Sequence, residues 1–316
     1  MTRILAAVVL AAASIGAVQT DPAYKVVGKI PDRDDGRLFR TFDTDRTTNR
    51  VYMGSDRGLY WLDLADPERV KGPIFDKDIL KIELAQDTGR LFYFTKDEVG
   101  YCDVRTTNEP KTMRDRIEAR AMAYEPTKRE LYVATRDPYL TIFDGTKGEF
   151  GFRLQLEAQS WFGTQLEGAP GRVYAQVGGK QGLFVIDAAT HKISPWPVKG
   201  VVTPAYMEAD PEGQYLFVTW DRYVAAIDAR DARIIERVVA HGSSIAYDPG
   251  SKLLINSWID VAPPLKITVY RVDAKGLSVV SKLENPDIGL AGVEPTNRGF
   301  LQRANTNLLV WAFQGK

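Results

Sequence analysis

Three carboxylates occupy comparable positions in a pattern that repeats along the chain. Asp43, Glu83 and Glu208 stand two or four residues before acidic turns that recur about every 40 residues. Carboxylate oxygens are the ligands that Ca²⁺ prefers, and two carboxyl groups in different environments can divide the roles of general acid and general base. The three acids are therefore candidate metal ligands, and Glu83 and Glu208 are also candidate catalytic residues. The competing interpretation is that they are solvated acids without a chemical role.

His241 is the third catalytic candidate, and it precedes Gly242-Ser243-Ser244 at the start of a repeat. The other histidine, His191, is expected on the opposite surface. With one Cys and two His in the chain, a Cys-based zinc site is excluded. The sequence also lacks a Gly-x-Ser-x-Gly motif, a phosphate loop, a dinucleotide fingerprint and a haem-attachment motif. We expect no cofactor, with Ca²⁺ as the alternative.

The elements that position these residues are short strands joined by recurring turns. Each repeat has an apolar run, an acidic turn rich in Pro, Gly, Asn and Thr, and then a pair such as Val-Tyr or Leu-Phe. The pairs end at Tyr52, Phe92, Tyr132, Tyr174, Phe217, Leu254 and Leu301, in steps of 40, 40, 42, 43, 37 and 47 residues. This spacing is the period of a four-stranded propeller blade.

A second marker follows each pair by about ten residues, where another strand ends in an Asp such as Asp63 or Asp144. We interpret these Asp residues as hairpin caps that accept backbone N–H groups. The sequence therefore predicts an all-β, seven-bladed β-propeller. Its last segment supplies only three strands, so the strand Tyr24–Ile30 is predicted to close the ring beside residues 308–313. The alternatives are six blades with a ragged end, and a two-sheet sandwich.

The repeat resembles that of the exported YVTN-type seven-bladed β-propellers. The residues that carry the resemblance are the Asp-Pro-x-Gly turn at Asp210 and the strands Leu216-Phe-Val-Thr219 and Leu131-Tyr-Val-Ala-Thr135. The full Tyr-Val-Thr-Asn string does not occur. The resemblance covers residues 25–314 and implies a periplasmic propeller in a group composed mostly of binding proteins. Similar propellers serve as lactonases, lyases and amine dehydrogenase subunits, and the fold alone does not choose among these.

A propeller presents its second-to-third strand turns around one mouth of the central channel, which is the default ligand site. These turns carry the candidate ligand-binding residues Arg57, Arg136, Trp220, Asp221, Arg222 and Trp258. Exposed aromatic rings beside hydrogen-bonding groups suit sugars or peptides. The alternative is that the turns are solvated hairpin tips with weak local ion pairs.

Alternation along the inner strands predicts which side chains line the channel. Counting back from the turn acids places Asp43, Glu83 and Glu208 in it, with Lys81 and Trp161 as further ligand candidates near its mouth. In this count Glu167 is a turn acid, and Gln165 and Gly163 take the channel positions. A slip of one residue would reverse the assignment.

The N-terminus has the pattern of a secretory signal peptide. Arg3 precedes an apolar run from Ile4 to Val18 that is too short to span a bilayer. We expect a signal peptide over residues 1–17 and a single propeller domain over residues 18–316, without membrane insertion after cleavage. The expected location is the periplasm or the extracellular medium, and the expected state is a monomer.

Composition and the predicted site together indicate a binding protein. Lys plus Arg and Asp plus Glu each total 41, so no net charge attracts nucleic acid. We expect a noncatalytic exported propeller that binds a small molecule, a glycan or a protein partner at the channel face. The alternative is a hydrolase, lactonase or lyase that uses the same funnel, with or without Ca²⁺. An electron-transfer subunit would need a separate cofactor-bearing partner.

Overall fold

The chain folds entirely into β-strands and turns over the residues that the structure describes. The structure is a computed structural model, and it describes residues 24–31, 38–155, 164–177, 182–201, 204–240, 244–258, 265–285, 292–296, 299–304 and 307–313. The predicted signal peptide lies outside these residues. Within the described ranges, no helix has the length and apolar character needed to cross a bilayer.

The first strand, β1 (Tyr24–Pro31), precedes six sheets that are each built from four consecutive strands. Sheet one is β2 (Phe39–Asp45), β3 (Arg50–Ser55), β4 (Gly58–Asp63) and β5 (Asp66–Lys71). Sheet two is β6 (Lys81–Ala85), β7 (Arg90–Phe94), β8 (Glu98–Asp103) and β9 (Pro110–Asp115). Sheet three is β10 (Ala119–Glu125), β11 (Glu130–Thr135), β12 (Tyr139–Asp144) and β13 (Glu149–Gln155).

The next three sheets repeat this arrangement. Sheet four is β14 (Gln165–Ala169), β15 (Arg172–Gln176), β16 (Leu183–Asp187) and β17 (Ile193–Trp196). Sheet five is β18 (Tyr206–Ala209), β19 (Tyr215–Trp220), β20 (Tyr223–Asp228) and β21 (Arg233–Val239). Sheet six is β22 (Ser244–Asp248), β23 (Leu253–Trp258), β24 (Leu265–Asp273) and β25 (Gly276–Asn285).

The remaining four-stranded sheet, here called the terminal sheet, combines both ends of the chain. It contains β26 (Gly292–Thr296), β27 (Gly299–Ala304) and β28 (Asn307–Phe313), with β1 antiparallel to β28 at its outer edge. The first strand of each sheet contacts the first strand of the next, and β26 returns to β2. The first strands therefore surround a central channel.

Acidic residues fix the turns of the hairpins. The carboxylate of Asp45 accepts the N–H groups of Thr47 and Thr48, and that of Asp144 accepts those of Thr146 and Lys147. Asp63, Asp187 and Asp228 cap their turns in the same way, which confirms the interpretation of these residues as hairpin caps. Asp103 differs, because its carboxylate binds Arg90 of the neighbouring strand.

The hydrophobic core lies between neighbouring sheets. One cluster joins Tyr132 and Ile142 of sheet three to Leu166 and Val173 of sheet four, and similar clusters join the other neighbouring pairs from sheet one to sheet six. The second strands of sheets one to five each contribute a fully buried aromatic ring at the equivalent position: Tyr52, Phe92, Tyr132, Tyr174 and Phe217. Each of these rings lies on the face that packs against the next sheet, and its burial stabilises the contact between the two sheets.

Candidate functional site in the central channel

Four carboxylates lie at one level of the channel wall. Asp43 pairs with Tyr52, Glu83 with Phe92, Glu167 with Tyr174 and Glu208 with Phe217, so each acid stands opposite the buried ring of its own sheet. The same level is occupied by Ala123 and Ala246 in sheets three and six. Asp43, Glu83 and Glu208 thus stand at one level on the inner strands, and their predicted orientation into the channel stays a prediction.

Glu167 is the carboxylate that the sequence analysis misplaced. It was predicted to be a turn acid, but β14 continues to Ala169 and the turn follows at Pro170-Gly171. The register prediction for this repeat was therefore wrong by two residues, and Glu167 replaces Gln165 at the carboxylate level. The signal that could have found it is Pro170-Gly171, a stronger turn signal than Glu167 itself.

Each channel carboxylate accepts a hydrogen bond from the backbone of the next sheet. The N–H of Leu84 donates to Asp43 Oδ2 at 2.6 Å, and the N–H of Tyr124 donates to Glu83 Oε1 at 3.3 Å. The N–H of Tyr247 likewise donates to Glu208 Oε1 at 3.4 Å. Glu167 accepts a backbone hydrogen bond from Ala209. These acids therefore fasten the inner strands of successive sheets together.

Sheets three and four are joined without a channel carboxylate. Ala123 offers no acceptor, and the two inner strands approach directly, since a Cβ at Gly168 would overlap the carbonyl oxygen of Tyr124. Glu125 adds a link from the turn, where its Oε1 accepts the N–H of Gly171 at 2.7 Å. Gly168 is thus required by close approach of the backbone.

Burial raises the pKa values of the four acids, and the charges of neighbouring carboxylates raise those of Asp43, Glu167 and Glu208 further. Burial is the main cause for all of them; it raises the pKa of Asp43 to about 8, with the charge of Glu83 as a further cause, and that of Glu208 to about 7. The pKa values of Glu83 and Glu167 are also raised. Burial lowers the pKa of Lys81, but the charges of the four surrounding acids outweigh it and leave that pKa above its ordinary value. The Lys81 ammonium group therefore acts on all four carboxyl groups, and the charge of Arg46 also lowers the pKa values of Asp43 and Glu208.

These raised pKa values predict that stability falls as the pH rises. A carboxyl group whose pKa is higher in the folded than in the unfolded protein binds a proton more tightly in the folded state. The free energy of unfolding therefore decreases as the pH rises above the pKa of the unfolded state, and the decrease is complete above the pKa of the folded state. For Asp43 that window runs from 3.8 to about 8. We expect the melting temperature to fall between about pH 5 and about pH 8. Asp43→Asn, which keeps an acceptor for Leu84, should raise stability at the higher pH by about 1–2 kcal/mol.

Thermal denaturation at a series of pH values measures this effect. The exposed variant Asp221→Asn serves as the control and should keep the slope of the natural protein. An Asp43→Asn protein with an unchanged slope would show that Asp43 does not carry an elevated pKa.

A second level of polar side chains lies above the carboxylates, at the mouth of the channel where the inner strands begin. It contains Lys81, Gln165 and Tyr206, which stand two residues before Glu83, Glu167 and Glu208. The side-chain amide of Gln165 donates to the carbonyl of Ala205. Tyr206 is 43% exposed and Leu80 is 38% exposed. These two side chains offer apolar surface at the mouth, although the sequence analysis did not select them as ligand residues.

Several predicted ligand residues surround this mouth on the surface turns. Arg57, Arg136, Asp221 and Arg222 are all exposed. Trp220 is not; it is only 7% exposed and packs in the core between sheets four and five, with its ring 5.6 Å from that of Tyr223. The predicted exposure of Trp220 was wrong, because a Trp at the end of a central strand is drawn into the inter-sheet core.

The other aromatic and histidine candidates fall partly outside the described residues. Trp161 and His241 lie outside them, as does the side chain of Trp258. His191 lies in the turn between β16 and β17, where its Nε2 is 2.9 Å from Glu130 Oε2 and its ring contacts Phe152. It is half-buried between two sheets, rather than a free surface residue as predicted.

The predicted metal ligands do not form a recognisable metal centre. Across the described ranges, no three His, Cys, Asp or Glu side chains are grouped so that they could hold a metal ion. Asp43, Glu83 and Glu208 instead bind backbone N–H groups of three different neighbouring sheets. The Ca²⁺ hypothesis stays a prediction without a described ligand cluster.

Comparison with known proteins identifies the fold. No protein-family model and no curated protein matches the chain. The solved WD40 repeats of RRP9 are 9% identical with a TM-score of 0.70, covering 92% of this chain and 98% of that one. A chain of a mitotic checkpoint complex is 16% identical with a TM-score of 0.68, covering 98% of both chains. Hydrazine synthase of Kuenenia stuttgartiensis is 18% identical with a TM-score of 0.55, covering 70% of this chain and 72% of that one.

These similarities define the class of protein: the chain is an all-β β-propeller, as predicted. At such identities they show the fold alone. Membership of the YVTN-type family stays a prediction.

Proposed function

We propose that this protein is an exported, noncatalytic YVTN-type β-propeller that binds a partner protein at its channel face. The channel face is the end of the ring where the inner strands begin, with the exposed residues Arg57, Leu80, Arg136, Tyr206, Arg222 and Val239. We also propose that the terminal sheet is a seventh blade, closed by β1.

The observation that carries the proposal is exposed apolar surface on this face among charged groups. Val239 is 74% exposed at the end of β21, beside the Tyr223 backbone, and Tyr206 begins β18 of the same sheet. Exposed apolar side chains within a polar rim are typical of protein interfaces, in which Tyr and Arg are enriched. The similarity to a propeller from a mitotic checkpoint complex is consistent with such a role.

The hydrogen bonds of the four channel acids favour a binding function over a catalytic one. Each of the four acids accepts a backbone N–H group that joins neighbouring sheets, which gives these carboxyl groups a structural role. The burial of Trp220 removes one flat ring that a glycan could stack on. A protein partner needs neither a free channel carboxylate nor an exposed tryptophan ring, because it can contact the exposed rim directly.

A matched pair of variants tests the proposal. Arg222→Glu with Val239→Ser alters the channel face, and Arg230→Glu with Val279→Ser makes the same changes elsewhere; Arg230 lies in the turn between β20 and β21, and Val279 is 53% exposed on β25. We expect the first variant to lose at least about tenfold of the partner recovered by cross-linking and co-purification. The second should recover as much as the natural protein.

The outcome that contradicts the proposal is equal recovery by both variants. Thermal denaturation of both should show that they fold, since all four side chains are exposed.

The cellular location of the protein is tested separately. The natural protein should be found outside the cytoplasm with an N-terminus near residue 18, and intact Met1 in a membrane fraction would contradict export.

The second candidate function is the hydrolase, lactonase or lyase. The observation in its favour is that Asp43 and Glu208, with pKa values of about 8 and about 7, lie near Lys81 and can exchange protons close to neutral pH. On this hypothesis Glu83→Gln and Glu208→Gln abolish turnover of a lactone or ester substrate. Turnover that survives both substitutions, or is absent from the natural protein across a substrate panel, counts against it.

A further inference from the structure

A cavity lies between sheets two and three and shares Arg136 with the channel face. It has a volume of about 360 Å³, and its lining includes Arg114, Arg116, Arg136 and Arg153 together with the acids Glu118 and Asp137. This is called the arginine cleft below. Four positive and two negative side chains leave a local excess of two positive charges in a protein whose total charge is zero.

Two of these arginines lie near aromatic rings, and a third lies near an acid. Arg114 lies 5.9 Å from the ring of Phe150, and Arg153 lies 5.9 Å from the ring of Tyr139. Arg136 makes only a long contact with Glu118, at 3.4 Å between Nη1 and Oε2. Glu118 is shared with Arg120 at 3.6 Å. Within the part of the chain that the structure describes, the two acids therefore leave much of the hydrogen-bonding capacity of the four arginines unused.

The backbone of the cleft is fixed before any ligand arrives. The N–H of Arg136 donates to the carbonyl of Glu118 at 3.0 Å, and the N–H of Ile117 donates to the carbonyl of Asp97 at 3.1 Å. Arg116 adopts a left-handed backbone conformation, with φ of 54°. The same conformation occurs in hairpin turns of this protein, such as at Arg129 and Lys252, so it defines the backbone at Arg116 without marking a ligand site. Two strand ends and two turns thus present the four side chains to one space.

The chemistry of the cleft indicates its ligand. A guanidinium group binds carboxylate or phosphate with two parallel hydrogen bonds, and several converging guanidinium groups favour a ligand with more than one such group. The cavity volume lies at the lower end of the range for small-molecule sites, which begins at about 300 Å³. We propose that the arginine cleft binds a compact polyanion with two or more phosphate or carboxylate groups. The ligand is either a free small molecule or the acidic side chains of another protein.

Calorimetric titration of the purified protein at about 50 mM salt tests the proposal, with pyrophosphate, citrate and a hexaglutamate peptide as probes. We expect one saturable site for at least one probe. Arg116→Gln with Arg153→Gln should weaken binding at least about tenfold, because each removes charged hydrogen bonds. The control Lys147→Gln with Arg230→Gln removes two exposed charges from the opposite face and should change affinity by less than about twofold.

The three probes distinguish the two sources of the anion. Saturable binding of pyrophosphate or citrate indicates a free small molecule, whereas binding of the peptide alone indicates acidic side chains of a protein. The proposal is overturned if no probe shows saturable binding, or if the control pair weakens binding as much as the cleft pair. The proposed channel-face partner plays no part in this titration. Arg136 belongs to both sites but is unchanged in both sets of variants, so the two proposals fail independently.

Discussion

Deleting residues 24–30 should cause aggregation or lower the melting temperature by at least about 10 °C. These residues form most of β1, which pairs with β28 from Tyr24 opposite Phe313 to Pro31 opposite Asn307, and which also packs against β5 of sheet one. Removing them leaves the edge of β28 without a partner. An unpaired strand edge is a template for association with another chain.

The matched control is deletion of residues 1–17, the predicted signal peptide. It should leave the melting temperature of the purified protein unchanged, because the deletion ends before β1. Calorimetry and light scattering of the two truncated proteins, measured side by side, provide the comparison. Equal stability of the two would rule out closure of the ring by the N-terminal strand.

Lys81→Met should lower the free energy of unfolding by about 3–5 kcal/mol at pH 8. Lys81 is the ammonium group that balances Glu83, Glu167, Asp43 and Glu208 in the channel. Methionine has a similar length but no charge, so the substitution removes the cation that acts on all four carboxyl groups and leaves only Arg46, which acts on Asp43 and Glu208. An unpaired buried charge is far more costly than an absent ion pair.

The pH dependence of this loss separates electrostatics from packing. Lys81 is protonated at both pH 8 and pH 5.5, because both lie well below its raised pKa, so its own titration contributes nothing between them. The acids do titrate in this interval, and their protonation at pH 5.5 removes most of the repulsion. The loss caused by Lys81→Met should therefore be smaller at pH 5.5. The exposed variant Lys192→Met should leave the free energy of unfolding unchanged at both pH values. An equal loss for Lys81→Met at both pH values would indicate lost packing alone.

The sequence by itself determined the strands and the turns. Hairpin turns are local structures, and an acid such as Asp144 followed by Thr146 and Lys147 specifies its turn through hydrogen bonds within four residues. The repeat of about 40 residues predicted four-stranded sheets, and period-two alternation predicted that Asp43, Glu83 and Glu208 lie in the channel. The strands, the turns and the four-stranded sheets were predicted correctly because they depend on contacts between residues close in the chain, whereas the channel positions stay a prediction.

The tertiary structure determined the properties that depend on contacts between two neighbouring sheets. Glu167 and Glu208 carry the same chemical group, but only the length of β14 brings Glu167 to the carboxylate level. The burial of Trp220 depends on the surface of sheet four against which it packs, and the arginine cleft combines two strand ends with two turns. Hydrogen bonds such as that from Leu84 to Asp43 span about one repeat of the chain. A sequence pattern predicts which side chains share one face of a strand. The neighbouring sheet determines which of those groups are buried, charged or hydrogen-bonded.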